Sequence, residues 1–290
     1  METQCLLNAA GRTGVAYRRR LADAERGHDP LLLIHGAASN MTRWSEFVER
    51  TTLTASHDVI RVDLRGHGQS LYRGRIGLEI WCDDLAALLS QEGRQRAILV
   101  GHCLGANVAM MFAARYPRQT GGMVLVEPML RRALIGRLAR LSRLERPLKA
   151  MIYMIRTLNR MGIYRRRLAT LDLYELDKEF RAHLDEPGGD EVLVRRYASP
   201  WQDLKVMPCA NFLQDLLEVI RPLPLDEIRA PFLALLSAGR TFVDPGLTAQ
   251  LLASLPGGGI RTLDAKHWIP TEQPEAMRDL IESWVAALQP

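Results

Sequence analysis

The sequence predicts an α/β fold, a doubly wound and mostly parallel sheet with an inserted helical lid. Three observations carry that prediction. Short apolar runs alternate with stretches of helical periodicity toward both ends of the chain, the pattern of a sheet built from β-α units. The alternation stops between Pro128 and Ile228, where the pattern is helical with no strong strand. One apolar run, residues 97–100, ends in a glycine-framed turn, Gly101-His102-Cys103-Leu104-Gly105, that opens a helix. The expected organisation is a core of residues 1–128 and 229–290 interrupted by a helical cap of residues 129–228.

Taken in order, residues 15–20 read as a first strand. Residues 31–34 are wholly apolar and read as a buried second strand, ending in His35-Gly36-Ala37-Ala38-Ser39. Residues 59–62 form a third, followed by Asp63-Leu64-Arg65-Gly66-His67-Gly68-Gln69-Ser70. Helical periodicity occupies 78–89. After the glycine-framed turn, a helix runs to Tyr116-Pro117, where proline ends it. A strand over 123–126 closes on Glu127-Pro128. Beyond the interruption come a strand over 231–236, a helix over 247–255, a strand near 260–263, His267, and a last helix over 275–288. Gly257-Gly258-Gly259 reads as a turn and not a phosphate loop, because no helix start follows it.

Composition narrows the classes. At 47% hydrophobic residues, 290 residues can bury one sizeable core. Cys5, Cys82, Cys103 and Cys209 show neither paired spacing nor a metal-ligand pattern. Met1-Glu2-Thr3-Gln4 does not open a signal peptide, and no long uncharged apolar run is present, so a cytoplasmic, reduced protein is the expectation. The net charge of +5 is uneven. Residues 131–167 hold twelve Arg or Lys against one acid, Glu145, a net +11, which leaves −6 for the rest.

The stretch around Cys103 resembles the nucleophile elbow of the α/β-hydrolases, G-x-S-x-G, with cysteine where serine usually stands. His35-Gly36 resembles that family's oxyanion loop. Residues 63–70 match its D-x-R-G-x-G-x-S turn, and His267 with Glu272 and Pro274 matches its H-x4-E-x-P ending. The order and spacing of these segments make the resemblance cover nearly the whole chain, the inserted part being the least specific. Natural cysteine elbows occur in dienelactone hydrolases and in polyhydroxyalkanoate synthases, and only the elbow resembles the latter.

The resemblance implies a Cys-His-acid triad. Cys103 is the implied nucleophile, the alternative being a buried small hydrophobe. About 3% of a free thiol is ionised at pH 7, and an imidazole and a helix N-terminus raise that share. His267 is the implied general base and acid; His35 and His102 shape the site. The backbone N–H groups of Ala37 and Leu104 are the implied oxyanion hole. Asp63 and Arg65 belong to a structural turn. Two residues compete for the acid. The commonest family position, after the strand at 231–236, holds Arg240 or Thr241, with Asp244 three or four residues late. Glu127, at the end of the strand after the elbow helix, resembles the placement in a subgroup of haloalkane dehalogenases. Those enzymes use an aspartate nucleophile, so their activity does not carry over.

In the cap, Leu134, Leu138, Leu141, Leu148, Met151, Ile152 and Ile155 recur at helical spacing among arginines, with Pro147 expected to divide two helices. Such a segment is either a solvated basic face or a greasy lid for an anionic partner. The candidates for that partner are an acyl-coenzyme A, an acidic carrier protein and an anionic membrane surface. Nucleic acid is disfavoured, because the apolar positions are mostly aliphatic and no binding motif is present. The favoured function is hydrolysis of an ester or thioester through an acyl-enzyme, with no metal or organic cofactor implied. An acyltransferase on the same scaffold and a non-catalytic ligand-binding protein are the alternatives.

Overall fold

In the computed structural model the described residues are all except 8–13, 24–26, 183–188 and 289–290. Eight strands form one sheet: β1 (Thr3–Leu7), β2 (Val15–Arg20), β3 (Leu31–Ile34), β4 (Val59–Val62), β5 (Ala97–His102), β6 (Thr120–Val126), β7 (Phe232–Ser237) and β8 (Gly258–Leu263). Their order is β1-β2-β4-β3-β5-β6-β7-β8. β1 and β2 form an antiparallel pair, β2 runs antiparallel to β4, and every other pairing is parallel. The predicted fold class holds. The strand missed in the sequence is β1. It is an edge strand whose Thr3, Gln4 and Leu6 face solvent and whose Leu7 alone is fully buried, so it carries no apolar run.

The central strands are apolar at nearly every position because both faces are covered. In β3, Leu31 and Leu33 point to one face and Leu32 and Ile34 to the other; in β5, Ile98 and Val100 oppose Ala97 and Leu99. Helix α1 (Ser45–Arg50) shares the first face with residues near the C-terminus. Helices α2 (Leu78–Gln91) and α3 (Leu104–Arg115) cover the second. Trp81, Leu85 and Leu88 of α2 fill the space over β3 and β5 at the i, i+4, i+7 spacing of a one-sided helix.

Between β6 and β7 the described residues add no strand to the sheet and form the helices α4 (Gly136–Leu141), α5 (Glu145–Arg160), α6 (Leu173–Arg181), α7 (Gly189–Tyr197), α8 (Pro200–Val206) and α9 (Cys209–Val219), with short 3-10 turns and one bridge from Leu134 to Val243. Leu148 and Ile152 on the inner side of α5 are buried and join Ala210 and Leu217 of α9 in the core beneath α2 and α3. Pro147 does not divide the helices as expected. It sits in the first turn of α5, where a helix has no use for its missing N–H, and the break falls at the 3-10 turn Ser142–Leu144. Beyond β7, α10 (Pro245–Leu252), α11 (Ile269–Glu272) and α12 (Pro274–Leu288) complete the chain. Met277, Ile281 and Val285 of α12 close the face shared with α1.

Candidate active site

The elbow is built as its glycines require. Cys103 joins β5 to α3 with φ of +54°, a left-handed conformation that β-carbon-bearing residues avoid. A Cβ on Gly101 would run into the Gly105 backbone, and one on Gly105 would meet the His35 carbonyl oxygen at 2.6 Å. Small residues there let strand and helix approach, and the sharp turn lifts the thiol to the carboxyl edge of the sheet. The Cys103 N–H donates to Val126 O at 2.9 Å, which ties the turn to β6.

Of the two acid candidates, Glu127 touches His267. Its Oε2 lies 2.9 Å from His267 Nδ1, and its Oε1 accepts the Ser237 N–H. Its own N–H donates to Leu235 O at 2.9 Å, and its φ is +51°. Two residues on, Met129 exchanges two 2.9 Å hydrogen bonds with the Asn107 side chain, fixing this segment against α3. Asp244 is otherwise engaged. It caps α10 by accepting the Leu247 N–H at 2.9 Å and pairs with Arg240 at 2.6 Å. Thr241, at the commonest acid position, donates its hydroxyl to Lys266 O at 2.9 Å and so holds the loop that carries His267.

That loop is shaped by Glu272, whose carboxylate accepts the N–H groups of Lys266, His267 and Trp268 at 2.7, 3.1 and 2.8 Å. The rings of Phe242 and Trp268 stand edge-on to His267, with centroids 4.8 and 5.4 Å away. Burial alone would lower the His267 pKa. Hydrogen bonding to Cys103 and to Glu127, together with their charges, overcomes burial and pushes it up to about 10. The ring is therefore held as an imidazolium between two acidic partners. His35 and His102 are the opposite case, held neutral because burial drives their pKa values well below the ordinary imidazole range. His35 Nε2 accepts the Leu64 N–H at 3.1 Å, and His102 Nε2 faces His267 O at 3.2 Å, so both support backbone.

The N–H groups of Ala37 and Leu104 have no hydrogen-bond partner among the described residues. Next to Ala37, Ala38 has φ of +48°. Ala38, Cys103 and Glu127 are the positive-φ residues other than glycine among those described, and all three belong to this site. Strain collects where a backbone must present groups to a reacting centre. Asp63 and Arg65 are built into the frame. Asp63 accepts the Met41 and Gln69 N–H groups at 2.7 and 2.8 Å, and Arg65 forms a two-pronged pair with Asp84.

A cavity of about 620 Å³ opens above Cys103 and His267. Its far wall comes from the helical insertion, with Leu138, Leu141, Leu173, Leu176, Phe212 and Leu216 among the apolar side chains. Two carboxylates that the sequence did not single out, Asp203 and Asp215, also reach it. Asp215 on α9 is fully buried; its Oδ2 binds His67 Nε2 at 2.8 Å and accepts the Ala38 N–H at 3.1 Å, while Oδ1 has no partner among the described residues. Burial would lower the His67 pKa, and the Asp215 charge outweighs it and leaves it raised. Burial together with Asp215 pushes the Asp203 carboxyl up to about 7. Asp215 carries no motif, and only the packing of α9 under the loop of Ala37 and Ala38 brings it here. Among the described residues no group of three His, Cys, Asp or Glu side chains could hold a metal ion, and no helix is long and apolar enough to cross a membrane.

Comparison with known proteins agrees with this architecture. The family described as "Alpha/beta hydrolase family" matches residues 31–280. The chain is 24% identical over 277 residues to the sn-1-specific diacylglycerol lipase ABHD11 of Mus musculus, covering 92% of this chain and 84% of that protein. It is 38% identical over 106 residues to the 2-(acetamidomethylene)succinate hydrolase of Mesorhizobium japonicum, 36% of this chain and 37% of that one. A solved hydrolase from Pseudomonas aeruginosa PA01 superposes with a TM-score of 0.65 at 22% identity, covering 98% of both chains.

Proposed function

This chain belongs to the alpha/beta hydrolase family, and from that premise we propose that it is a cysteine hydrolase of carboxylic esters or thioesters. The observation that carries the proposal is His267 bracketed by Glu127 at 2.9 Å and by Cys103 on the elbow. The thiolate is the attacking species of a cysteine nucleophile. In the proposed reaction Cys103 Sγ adds to the carbonyl carbon. The carbonyl oxygen becomes an oxyanion facing the free N–H groups of Ala37 and Leu104. The tetrahedral adduct collapses, its leaving group takes the His267 proton, and the acyl group stays on sulfur as a thioester. His267, now neutral, removes a proton from water, which attacks the thioester. The adduct collapses to release the carboxylic acid and restore the thiolate and imidazolium pair. Glu127 stabilises the imidazolium at both stages.

The apolar cavity supports a substrate with a hydrophobic acyl part. The diacylglycerol lipase named for the mouse relative points the same way. A panel of p-nitrophenyl esters and acyl-coenzyme A thioesters of increasing chain length tests the activity. Intact-protein mass spectrometry during turnover should show the acyl mass on the wild type and not on Cys103→Ala. That variant should fold and lose turnover by about three orders of magnitude or more. Near-normal turnover in Cys103→Ala overturns the cysteine mechanism, and transfer of the acyl group to an added alcohol in preference to water redirects it to acyl transfer. Alkylation experiments need a Cys209→Ser background, because Cys209 is exposed.

A further inference from the structure

Helix α5 carries two apolar stripes, and only one of them is buried. The inner stripe, Leu148, Ile152 and Ile155, packs toward α9 and the core. A second stripe runs along the adjoining flank at a spacing of three and four: Leu144, Pro147, Met151, Met154, Leu158 and Met161. All six are exposed, Leu144 by 52%, Met154 by 57% and Met161 by 69%. The chain beyond continues the ridge with exposed Ile163 and Tyr164. Cations border it throughout. Arg143, Arg146, Lys149 and Arg160 are exposed beside the ridge, and Arg165, Arg166 and Arg167 follow it. Water gains nothing from a regular apolar ridge of this length, and chance does not space it at helical period.

We propose that residues 136–167 dock on the surface of an anionic lipid bilayer, the methionine and leucine ridge entering the acyl boundary and the arginines meeting lipid phosphates. Charge complementarity selects this occupant. A second copy of the chain would set one net +9 segment against another, and like charges repel. A nucleic acid would satisfy the arginines and leave the ridge without an apolar partner. A bilayer with anionic headgroups satisfies both, as it does for interfacial helices with a basic polar face. The surface is also continuous with the cavity, since Arg137, Leu138 and Leu141 of the preceding helix α4 line it. For its substrate the inference rests on the hydrolase reading: a lipid ester passing from the bilayer past α4 to Cys103. For the docking itself it does not.

Co-sedimentation with vesicles of phosphatidylcholine, with and without phosphatidylglycerol, tests the docking on the full chain. The protein should pellet with the anionic vesicles and not with the zwitterionic ones, and added NaCl should release it. The double variant Met154→Asp/Leu158→Asp should lose at least tenfold in vesicle partitioning while hydrolysing a short soluble ester as the wild type does. Neither residue lines the cavity. A single Met154→Trp reporter should shift its emission to the blue on anionic vesicles. Failure to pellet at low salt, or pelleting that survives the double aspartate variant, overturns the proposal. So does a wild-type dimer in light scattering that the aspartate variant dissociates, which would make a second copy the occupant. Cys103→Ala should dock like the wild type, so loss of the hydrolase reading and loss of the docking reading are separate results.

Discussion

At the scale of single residues, one backbone bend decides which carboxylate reaches His267. Glu127 leaves β6 with a left-handed φ, and that turns its carboxylate to His267 and not along the strand. Asp244 is spent on a helix cap and an arginine. Glu127→Gln keeps the shape and removes the charge, so it should lower kcat by about two to four orders of magnitude. Asp244→Asn should cost about tenfold or less. The pH dependence follows from the raised His267 pKa. A group whose pKa is raised on folding stabilises the fold fully below its unfolded value near 6.5, and that contribution is lost as pH rises through about 10. Removing the Glu127 charge should lower the upper limit of this window. NMR titration of the His267 ring in wild type and Glu127→Gln reads the shift; an unmoved titration together with full activity would remove Glu127 from the triad.

At the scale of elements, the strand-turn-helix unit of β5, Cys103 and α3 sets the geometry that the other loops meet. α3 crosses β5 so closely that Gly105 lies against the carbonyl oxygens of Ile34 and His35. Gly105→Ala must push α3 from the sheet or bend the loop that carries Ala37. It should destabilise the protein by about 3 kcal/mol or more, in the range of overpacking with backbone displacement. Chemical denaturation measures this, and a variant as stable as the wild type would show that the contact relaxes without cost. Helix α5 makes a contrasting point. Its buried stripe is fixed by the core, whereas its exposed stripe is fixed by nothing in the described residues.

At the scale of the molecule, the buried pair of Arg43 and Asp177 helps join the insertion to the core. Arg43, before α1, donates to both oxygens of Asp177 on α6 at 2.8 and 2.7 Å. The Arg43 guanidinium also lies 5.2 Å from the Tyr197 ring centroid, and Thr271 near His267 completes the cluster. Arg43 and Asp177 are almost wholly buried. Asp177→Ala strands a buried guanidinium and should cost about 3–5 kcal/mol. Arg43→Met/Asp177→Leu removes both charges and should cost much less, because a buried pair replaced by apolar groups is often near neutral. Equal losses in the two variants, read by denaturant titration, would mean that shape and not charge holds the insertion in place.

The alternation of apolar runs and helical stretches predicted the sheet class and the six strands that pair in parallel, most clearly β3, β5, β6 and β7, whose apolar runs are buried on both faces. Glycines at 101 and 105 announced the elbow, since only a close backbone crossing requires them at that spacing. The edge strand β1 left no such mark, having one face in water. The choice between Glu127 and Asp244 lay beyond the sequence, because each is a carboxylate just after a strand, and which one reaches the imidazole depends on φ at one residue and on what else each oxygen binds. Asp215 was invisible for the same reason: 112 positions from Cys103, it comes to the cavity only because α9 packs beneath the loop of Ala37 and Ala38. Local pattern follows from hydration and backbone sterics, which act between near neighbours; the meeting of distant side chains is set by how whole elements pack.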